Sequence, residues 1–329
     1  MRVLVTGGAG YIGSQMVRQL LENGIEAVVA DSLENGHRAA VAPGVPLHVG
    51  DLSDADFLRA LFAREAFDAV IHFAGYIAVK ESVENPVKYF RNNIEATIRF
   101  IDAMHAANVT RLVFSSSAAV YGNPTQVPIP DDHPKQPINP YGESKYLVEK
   151  MLQWIGAATP LQSISLRYFN ACGATLDGQF GEDHPDEGHI IPLALRAAMN
   201  GKPFNIFGAD YNTRDGTCIR DYIHVIDLCA AHLCALNALL RGHATDAYNV
   251  GTGRGYSNRE IGAAAQRVTG IPFAIQVAPR RAGDPDELVA DSSRLQNEFG
   301  WQPKYSDLET IVTSAWQWHR THPRGYGDR

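Results

Sequence analysis

The chain has 329 residues, 45% of them hydrophobic and 20% charged, and its formal net charge is −7. This composition is typical of a folded protein of enzyme size, and the mild acidity argues against a nucleic-acid partner. No stretch reaches the ~20 apolar residues that span a bilayer, and the four cysteines form no CxxC pair, so we expect a cytoplasmic protein without a membrane partner.

Short apolar runs alternate with amphipathic stretches through the first half of the chain. The runs predict strands at 2–6, 27–30, 46–50, 68–75, 111–117 and 163–170, and the stretches predict helices at 13–23, 54–65, 87–107 and 142–156. Continuous apolar strands separated by helices are typical of a parallel sheet that is covered on both faces. We therefore predict an α/β fold with a doubly wound sheet over residues 1–170.

The second half begins with a long loop at 172–188, which is rich in glycine and acidic residues. Helical and strand-like pieces then mix at 190–200, 204–207, 223–241, 247–250, 258–269, 273–277 and 306–319, of which 223–241 resembles a helix and 247–250 a strand of the main sheet. We expect residues 171–329 to form mainly a smaller α/β substrate-binding lobe, while a segment near 223–252 returns to the main sheet. The tail 321–329 is expected to be frayed.

A glycine-rich turn, VTGGAGYIGS, follows the first predicted strand. Gly7, Gly10 and Gly13 permit a tight turn and let backbone N–H groups approach a pyrophosphate at the positive end of the next helix. The position between a strand and a helix is the context that this motif requires, which favours a dinucleotide site over a plain turn. The sequence therefore predicts a Rossmann-type doubly wound parallel sheet.

Two carboxylates follow later strands. Asp31 ends the second predicted strand, where it can bind both ribose hydroxyls and repel a 2′-phosphate, so we predict NAD as the cofactor. It can also cap the following turn. Asp51 and Leu52 follow the third strand, where an adenine could lie, although a helix N-cap is an equally good interpretation of Asp51.

The stretch NPYGESKYLVEKMLQW, residues 139–154, contains Tyr141 and Lys145 in the spacing YxxxK at the start of a predicted helix. A tyrosine has a reference pKa near ~10 and is a poor base. A lysine ammonium one turn away, together with the positive nicotinamide, favours the phenolate. YxxxK alone is a weak motif, but the glycine turn, Asp31 and the serines at 115–117 strengthen it. We predict that the tyrosinate removes a sugar hydroxyl proton while hydride passes to NAD.

The ordered motifs TGGxGYIG, Asp31, HFAG, NN, SSSxxVYG, YxxSK and RYFN resemble the extended short-chain dehydrogenase/reductase family. DYIHVIDL, YNVGTGRGYS and RRAGDP continue the resemblance over nearly the whole chain, closest to members that epimerise UDP-sugars. The resemblance implies interconversion of UDP-glucose and UDP-galactose through a 4-keto intermediate that turns over while tethered by its UDP. It also implies tightly held NAD and a homodimer that pairs through the helices near 87–107 and 142–156.

The resemblance assigns a role to each matching residue. Tyr141 is the acid/base, Lys145 holds the nicotinamide ribose and lowers the tyrosine pKa, and Ser117 bonds the reacting hydroxyl, with Ser115 and Ser116 in supporting parts. The implied cofactor contacts are Gly7, Gly10, Tyr11, Ile12, Gly13, Asp31, Ser32, Asn35, Gly36, Asp51, Leu52, Phe73, Ala74, Gly75, Asn92, Lys145 and Phe169. The implied substrate contacts are Ser117, Tyr141, Asn170, His189, Phe207, Arg220, Tyr222, Arg281 and Asp284. Arginines suit a pyrophosphate because the planar guanidinium bonds two oxygens at once.

Three positions depart from the pattern of the resemblance. Ile77 stands where many epimerases carry a lysine, although Lys80 follows closely, and His189 stands at an asparagine position. Leu288, intermediate in size, occupies the position that guards the sugar pocket, so the acceptance of N-acetylated UDP-sugars is open.

Other functions fit parts of the sequence. A nucleotide-sugar dehydratase needs an acidic pair after the active hydroxyl, and Ala118 and Ala119 occupy those positions. Epimerases of UDP-GlcNAc or UDP-glucuronate remain alternatives, whereas an NAD-sensing protein without catalysis is less favoured because the tyrosine and lysine are both present. His184, His189 and the acids between them lack the spacing of metal ligands, so we expect no metal site.

Overall fold

The computed structural model describes residues 1–185, 187–281 and 284–327. The strands are β1 Arg2–Thr6, β2 Glu26–Asp31, β3 Leu47–Val49, β4 Ala69–His72, β5 Arg111–Ser115, β6 Gln162–Tyr168, β7 Asn170–Cys172, β8 Phe204–Phe207, β9 Ile219–His224, β10 Asp246–Val250, β11 Gly255–Ser257, β12 Ile275–Ala278 and β13 Glu287–Leu288. The α-helices are α1 Tyr11–Glu22, α2 Ala55–Arg64, α3 Val79–Glu84, α4 Pro86–Phe90, α5 Ala96–Ala106, α6 Pro140–Ala158, α7 Ile190–Asn200, α8 Val225–Leu240, α9 Asn258–Thr269, α10 Ser293–Phe299 and α11 Leu308–Thr321. Short 3-10 helices span Arg38–Ala40 and Ala118–Tyr121, and a π-helical turn, Arg91–Glu95, joins α4 to α5.

Seven strands form one sheet in the order β10-β6-β5-β4-β1-β2-β3. Every pair of neighbours in this sheet is parallel. The strand order reverses at β1, which lies between β2 and β4. Open parallel sheets bind ligands beyond the carboxyl ends of the strands at such a reversal. The predicted α/β fold with a Rossmann-type doubly wound sheet is confirmed.

Apolar side chains fill a core on each face of this sheet. Val3 and Val5 of β1 face the core that contains α1 and α8, whereas Leu4 faces the core that contains α2, α5 and α6. Strands that are buried on both faces carry continuous apolar runs, which explains the pattern of the sequence. Both α8 and β10 come from the second half of the chain, and they pack on and within the main sheet.

The small lobe is built from short strands and three helices. Strand β9 pairs with β7, β11 and β13, and β8 pairs with β12. Helices α7, α9 and α11 enclose a third core that includes Leu195, Ile261 and Ile311. This lobe lies at the end of the main sheet because β7 follows β6 almost directly, and β9 runs straight into α8.

The end of the chain packs against the body of the protein, which corrects the expectation of a frayed tail. The Tyr326 ring lies 4.7 Å from that of Trp318, and the Tyr326 backbone N–H donates to Asp183 at 3.0 Å. Residues 328–329 of the predicted tail lie outside the described residues. All four cysteines are free. Within the described ranges, no helix combines the length and the apolar character needed to cross a membrane.

A single buried carboxylate joins α8 to the segment before α11. Asp227 accepts hydrogen bonds from the backbone N–H groups of Lys304 (2.9 Å) and Tyr305 (2.8 Å) and from the Ser306 hydroxyl (2.6 Å). Both carboxylate oxygens therefore face donors. A side-chain amide at this position would turn one of its own donors toward another donor.

We expect Asp227→Asn to lower the free energy of unfolding by about 1–3 kcal/mol, because a buried hydrogen-bond donor would then lack its acceptor. Urea unfolding measures the change. Asp56→Asn is the matched control, since Asp56 is exposed and its substitution should stay within about 0.5 kcal/mol. Equal stability of the two variants would contradict the assignment of Asp227 as a structural cross-link.

Candidate active site

One large cleft begins beyond the carboxyl ends of β1 and β4 and continues to the small lobe. Its volume is about 1860 Å³, above the ~300–1,000 Å³ of a typical small-molecule pocket. Every residue predicted to contact cofactor or substrate lines this cleft except Lys145, which lies behind its wall. The fold thus brings the predicted residues of both lobes to one place, with room for a dinucleotide and a second ligand.

The glycine turn forms a backbone cradle at the start of α1. Gly7 has a φ of +69°, and a Cβ atom there would lie 2.7 Å from the Ala74 nitrogen. A Cβ atom on Gly13 would lie 2.1 Å from the Gly7 carbonyl oxygen. No described side chain caps the first turn of α1, so its positive end stays open to the cleft. The residues present fit a pyrophosphate that approaches bare backbone.

Asp31 stands at the end of β2 beside this turn. One carboxylate oxygen accepts from the Ala9 backbone N–H at 2.9 Å and the other from that of Leu33 at 2.8 Å. Burial raises the pKa of Asp31, whereas these hydrogen bonds and the nearby His37 lower it. The carboxylate therefore caps the following turn and also lines the cleft, so the two interpretations made from the sequence are compatible.

Asp51 lies in a turn and not at a helix end. Its carboxylate accepts from the Ser53 backbone N–H at 2.7 Å, while Asp54 is the N-cap of α2. The N-cap interpretation of Asp51 is therefore wrong. Its position on the cleft wall leaves the predicted cofactor contact as a proposal.

Tyr141 lies in the first turn of α6 and is buried at the back of the cleft. The Ser117 hydroxyl hydrogen-bonds the phenol and lowers its pKa, but burial raises that pKa by more, so the net shift is upward. The same hydroxyl accepts from the Ala119 backbone N–H at 3.1 Å. Ser117 therefore acts as a strand-end cap and also contacts the predicted acid/base.

Lys145 lies one turn after Tyr141 on α6. Its ammonium nitrogen donates to the Ser115 carbonyl at 2.8 Å and lies 6.0 Å from the centroid of the Tyr141 ring. Burial lowers the pKa of Lys145 to about 8, although Glu149 raises it. At neutral pH the lysine is still charged, but its charge alone does not bring the Tyr141 pKa below the ordinary value. A further positive charge in the cleft would favour the phenolate predicted from the sequence.

A buried ion pair behind this site is missing from the sequence-based prediction. The Glu149 carboxylate forms an ion pair with the Arg167 guanidinium at 2.7 Å, and both side chains are at most 4% exposed. Glu149 also accepts a hydrogen bond from the Ser116 hydroxyl. The one available signal is helical spacing, which puts Glu149 a turn beyond Lys145 on the same face of α6. Its partner Arg167 on β6 is the first residue of the RYFN motif, but nothing in that motif indicates the contact with Glu149.

Asn93 is a second residue that the prediction missed, although the NN motif contains it. Its side chain accepts from the Tyr76 backbone N–H at 2.8 Å and donates to the Ser144 hydroxyl at 3.0 Å. The predicted Asn92 also accepts from Tyr76, at 3.1 Å, but it lines the cleft. Asn93 thus fixes the segment after β4 to α6, beside the catalytic candidates.

Two arginines lie at the far end of the cleft. The guanidinium of Arg220 pairs with Asp284 at 3.6 Å, and that of Arg281 lies 3.9 Å from the centroid of Phe207. Tyr222 is buried beside them, and burial raises its pKa. The geometry brings together the five predicted substrate residues of this end and suits an anionic ligand.

The remaining predicted substrate residues lie between the two ends. Asn170 donates to the Asp221 carbonyl at 2.8 Å, and Leu288 is half-buried on β13. His189 hydrogen-bonds the Glu182 carboxylate through Nδ1. Of the departures noted in the sequence, Lys80 lines the cleft with a largely exposed side chain and pairs with Glu84 at 3.7 Å.

Comparison with known proteins identifies the family of the chain. Residues 3–251 match the NAD dependent epimerase/dehydratase family. The chain belongs to that family. A UDP-glucose 4-epimerase of Lactobacillus helveticus is 48% identical over 100% of both chains.

Solved structures of family members share the fold over their whole length. A UDP-glucose 4-epimerase from Brucella ovis in complex with NAD has a TM-score of 0.93 and 44% identity, covering 96% of this chain and 97% of the other. A UDP-glucose 4-epimerase from Bifidobacterium longum in complex with NAD+ and UDP has a TM-score of 0.93 and 35% identity, covering 99% and 100%. NAD is the cofactor of this epimerase family, and the glycine cradle fits it.

We expect the free energy of unfolding of this protein, measured without NAD, to depend on pH through Lys145. An unfolded lysine has a pKa near ~10.4, above the folded value of about 8. Between these values the unfolded chain binds more protons than the folded chain, so this residue makes the free energy of unfolding rise with pH. Below pH ~8 burial of the charged lysine lowers the free energy of unfolding by its full amount. Relative to Lys145→Met, the wild type should gain about 3 kcal/mol between pH 7 and 10.5.

Urea unfolding of both proteins at the two pH values measures this change, and subtracting one protein from the other cancels all other titrations. Lys150→Met, which removes an exposed lysine of the same helix, is the control and should show no such change. A wild-type advantage that stays constant from pH 7 to 10.5 would contradict the buried ammonium.

Proposed function

We propose that the protein interconverts UDP-glucose and UDP-galactose by reversible NAD-dependent oxidation at sugar C4, with Tyr141 as the acid/base. The observation that carries the proposal is the convergence of Tyr141, Ser117 and Lys145 at one edge of the sheet, beside a cradle for pyrophosphate. The names and the NAD and UDP complexes of the relatives support the same activity.

The side chains divide the chemical work among them. Bound NAD supplies the hydride acceptor for C4 and later the hydride that restores the alcohol. Tyr141 takes the proton of the C4 hydroxyl and returns it to the ketone oxygen, with Ser117 holding that oxygen. Burial raises the pKa of Tyr141, and the Lys145 ammonium, together with the positive nicotinamide of bound NAD, would favour the phenolate.

We assign the two halves of the cleft to the two ligands. Residues 1–170, together with the segment near 223–252, hold NAD, and the remainder of 171–329 binds the nucleotide sugar. Arg220 and Arg281 lie where a diphosphate would be held, and the guanidinium fork gives it a fixed orientation. A ketone tethered by its diphosphate can then present either face to the same cofactor.

The direct test follows UDP-galactose by ion-pair chromatography for conversion to UDP-glucose. We expect Tyr141→Phe to lower kcat by about 10²–10⁴-fold, the usual contribution of a general acid/base, while NAD stays bound. Tyr146→Phe is the matched control, because it removes a hydroxyl from the same helix outside the cleft.

Unchanged kcat in Tyr141→Phe would overturn the assignment of the base, and no conversion by the wild type would overturn the activity. Parallel reactions with UDP-GlcNAc and UDP-glucuronate decide between the alternatives that the intermediate size of Leu288 leaves open. A protein that binds NAD but converts none of these sugars would instead be a sensor.

We also propose a homodimer through α4, α5 and α6. Exposed apolar side chains gather on these helices, among them Val87, Ile98 and Trp154, the last 77% exposed. Apolar side chains in such a group commonly mark a protein interface. Helices α4 and α5 run on through the π-helical turn as one continuous helix. Paired with α6 in each of two copies, it would form a four-helix bundle, the arrangement that the resemblance implies.

We expect Trp154→Glu to convert the dimer to a monomer, because the charge would have to be buried in the interface. Light scattering at micromolar protein concentration gives the mass. Leu176→Glu, which changes an exposed apolar residue on a distant loop, should leave the dimer intact. A monomer mass for the wild type would refute the proposal.

A further inference from the structure

Four side chains of the loop before α7 converge beside the cleft, which the two histidines of the group line. Glu182, His184, Glu187 and His189 each present one nitrogen or oxygen atom, and these atoms lie within 4.8 Å of one another. His184 Nδ1 lies 3.1 Å from Glu182 and 3.9 Å from Glu187, and His189 Nδ1 lies 3.5 Å from Glu187. Ligands held at ~2.0–2.1 Å around tetrahedral zinc are about 3.3 Å apart. These three separations lie close to that spacing, whereas His189 Nδ1 and the Glu182 carboxylate are in direct hydrogen-bond contact and would have to move apart to share an ion.

One oxygen of the cluster lacks a hydrogen bond. Glu187 Oε2 is buried, on a side chain that is 1% exposed, and it accepts no hydrogen bond from any described residue. The other oxygen, Oε1, accepts from the His189 backbone N–H at 2.8 Å. The cationic groups nearest Oε2 are His184 Nδ1 and Arg196 Nη2, both 3.9 Å away. A buried carboxylate oxygen without a donor is costly, and a bound cation would satisfy it.

Residues from distant parts of the chain hold the loop that carries these groups. The Glu182 carbonyl accepts from the Trp318 indole N–H at 3.0 Å, and the next carboxylate, Asp183, accepts from the Tyr326 backbone. His189 is the N-cap residue of α7. Metal ligands require this kind of outer support, because it fixes their position before the ion arrives.

The spacing along the chain predicts no metal site here, but the fold brings the four side chains together. We propose that Glu182, His184, Glu187 and His189 bind one divalent transition-metal ion with the ligand preference of Zn²⁺. Imidazole nitrogen and carboxylate oxygen are ligands of such ions, whereas Ca²⁺ and Mg²⁺ select oxygen alone. Two carboxylates balance the charge of the ion when both imidazoles are neutral. The ion joins the two ends of the loop from Glu182 to His189 and so fixes this wall of the cleft.

The test counts metal on the untagged full-length protein after treatment with EDTA and removal of the chelator. Equilibrium dialysis against micromolar Zn²⁺ is followed by elemental analysis, and Co²⁺ is added separately to record its visible spectrum. We expect one zinc ion per chain, a cobalt absorption of tetrahedral intensity, and a Tm that rises with Zn²⁺ because only the folded state has the site.

Glu187→Gln keeps the shape of the side chain but removes an anionic ligand, and His184→Gln removes an imidazole. We expect both variants to lose the zinc ion and the zinc-dependent rise in Tm, while circular dichroism confirms that they are folded. His105→Gln, an exposed histidine on α5, is the control and should keep the ion.

Wild-type protein without a stoichiometric zinc ion overturns the proposal, whatever the variants do. Folded Glu187→Gln and His184→Gln proteins that bind zinc as the wild type does would also overturn it. The readout is metal content and does not depend on epimerase activity, so failure here leaves the proposed reaction standing.

Discussion

The buried ammonium of Lys145 determines how the centre of this protein is built. Burial works against its charge and lowers the pKa to about 8, so neighbouring groups must compensate. The Ser115 carbonyl at the end of β5 accepts its hydrogen bond, and Glu149 on α6 opposes the lowering of its pKa. Glu149 is itself a buried charge, which Arg167 on β6 neutralises. One charge next to the phenol therefore requires three elements to be fixed together.

The local features of the sequence predict a large part of this arrangement. The apolar runs predict the strands of the main sheet, and the glycine turn predicts where the phosphates go, because both depend on residues close together in the chain. Tyr141 and Lys145 are visible for the same reason, since helical spacing puts them on one face. Arg167 is not visible as their support, because its contact with Glu149 is made between β6 and α6 and leaves no periodic pattern.

The small lobe was harder to predict because its strands depend on distant partners. β7, β11 and β13 are very short, and each is defined by pairing with β9 and not by its own alternation. The loop from Glu182 to His189 shows the same limit. Its four side chains meet because Trp318 and Tyr326, from the end of the chain, hold the backbone in place. The spacing of residues along the sequence does not reveal a contact with a distant part of the chain.

The connection between the lobes explains how one site can serve both ligands. Strand β9, which carries Arg220 and Tyr222, continues without a break into α8 on the main sheet, and Asn170 ties β7 to it through the Asp221 carbonyl. The elements proposed to hold the diphosphate are therefore continuous with those proposed to hold NAD. The proposed reaction needs the nucleotide and the sugar ring to be bound by different groups, because the oxidised sugar must turn over while its nucleotide stays in place. In the proposed reaction, Arg220 would hold the diphosphate, and the groups around Tyr141 would contact the sugar ring without having to hold it.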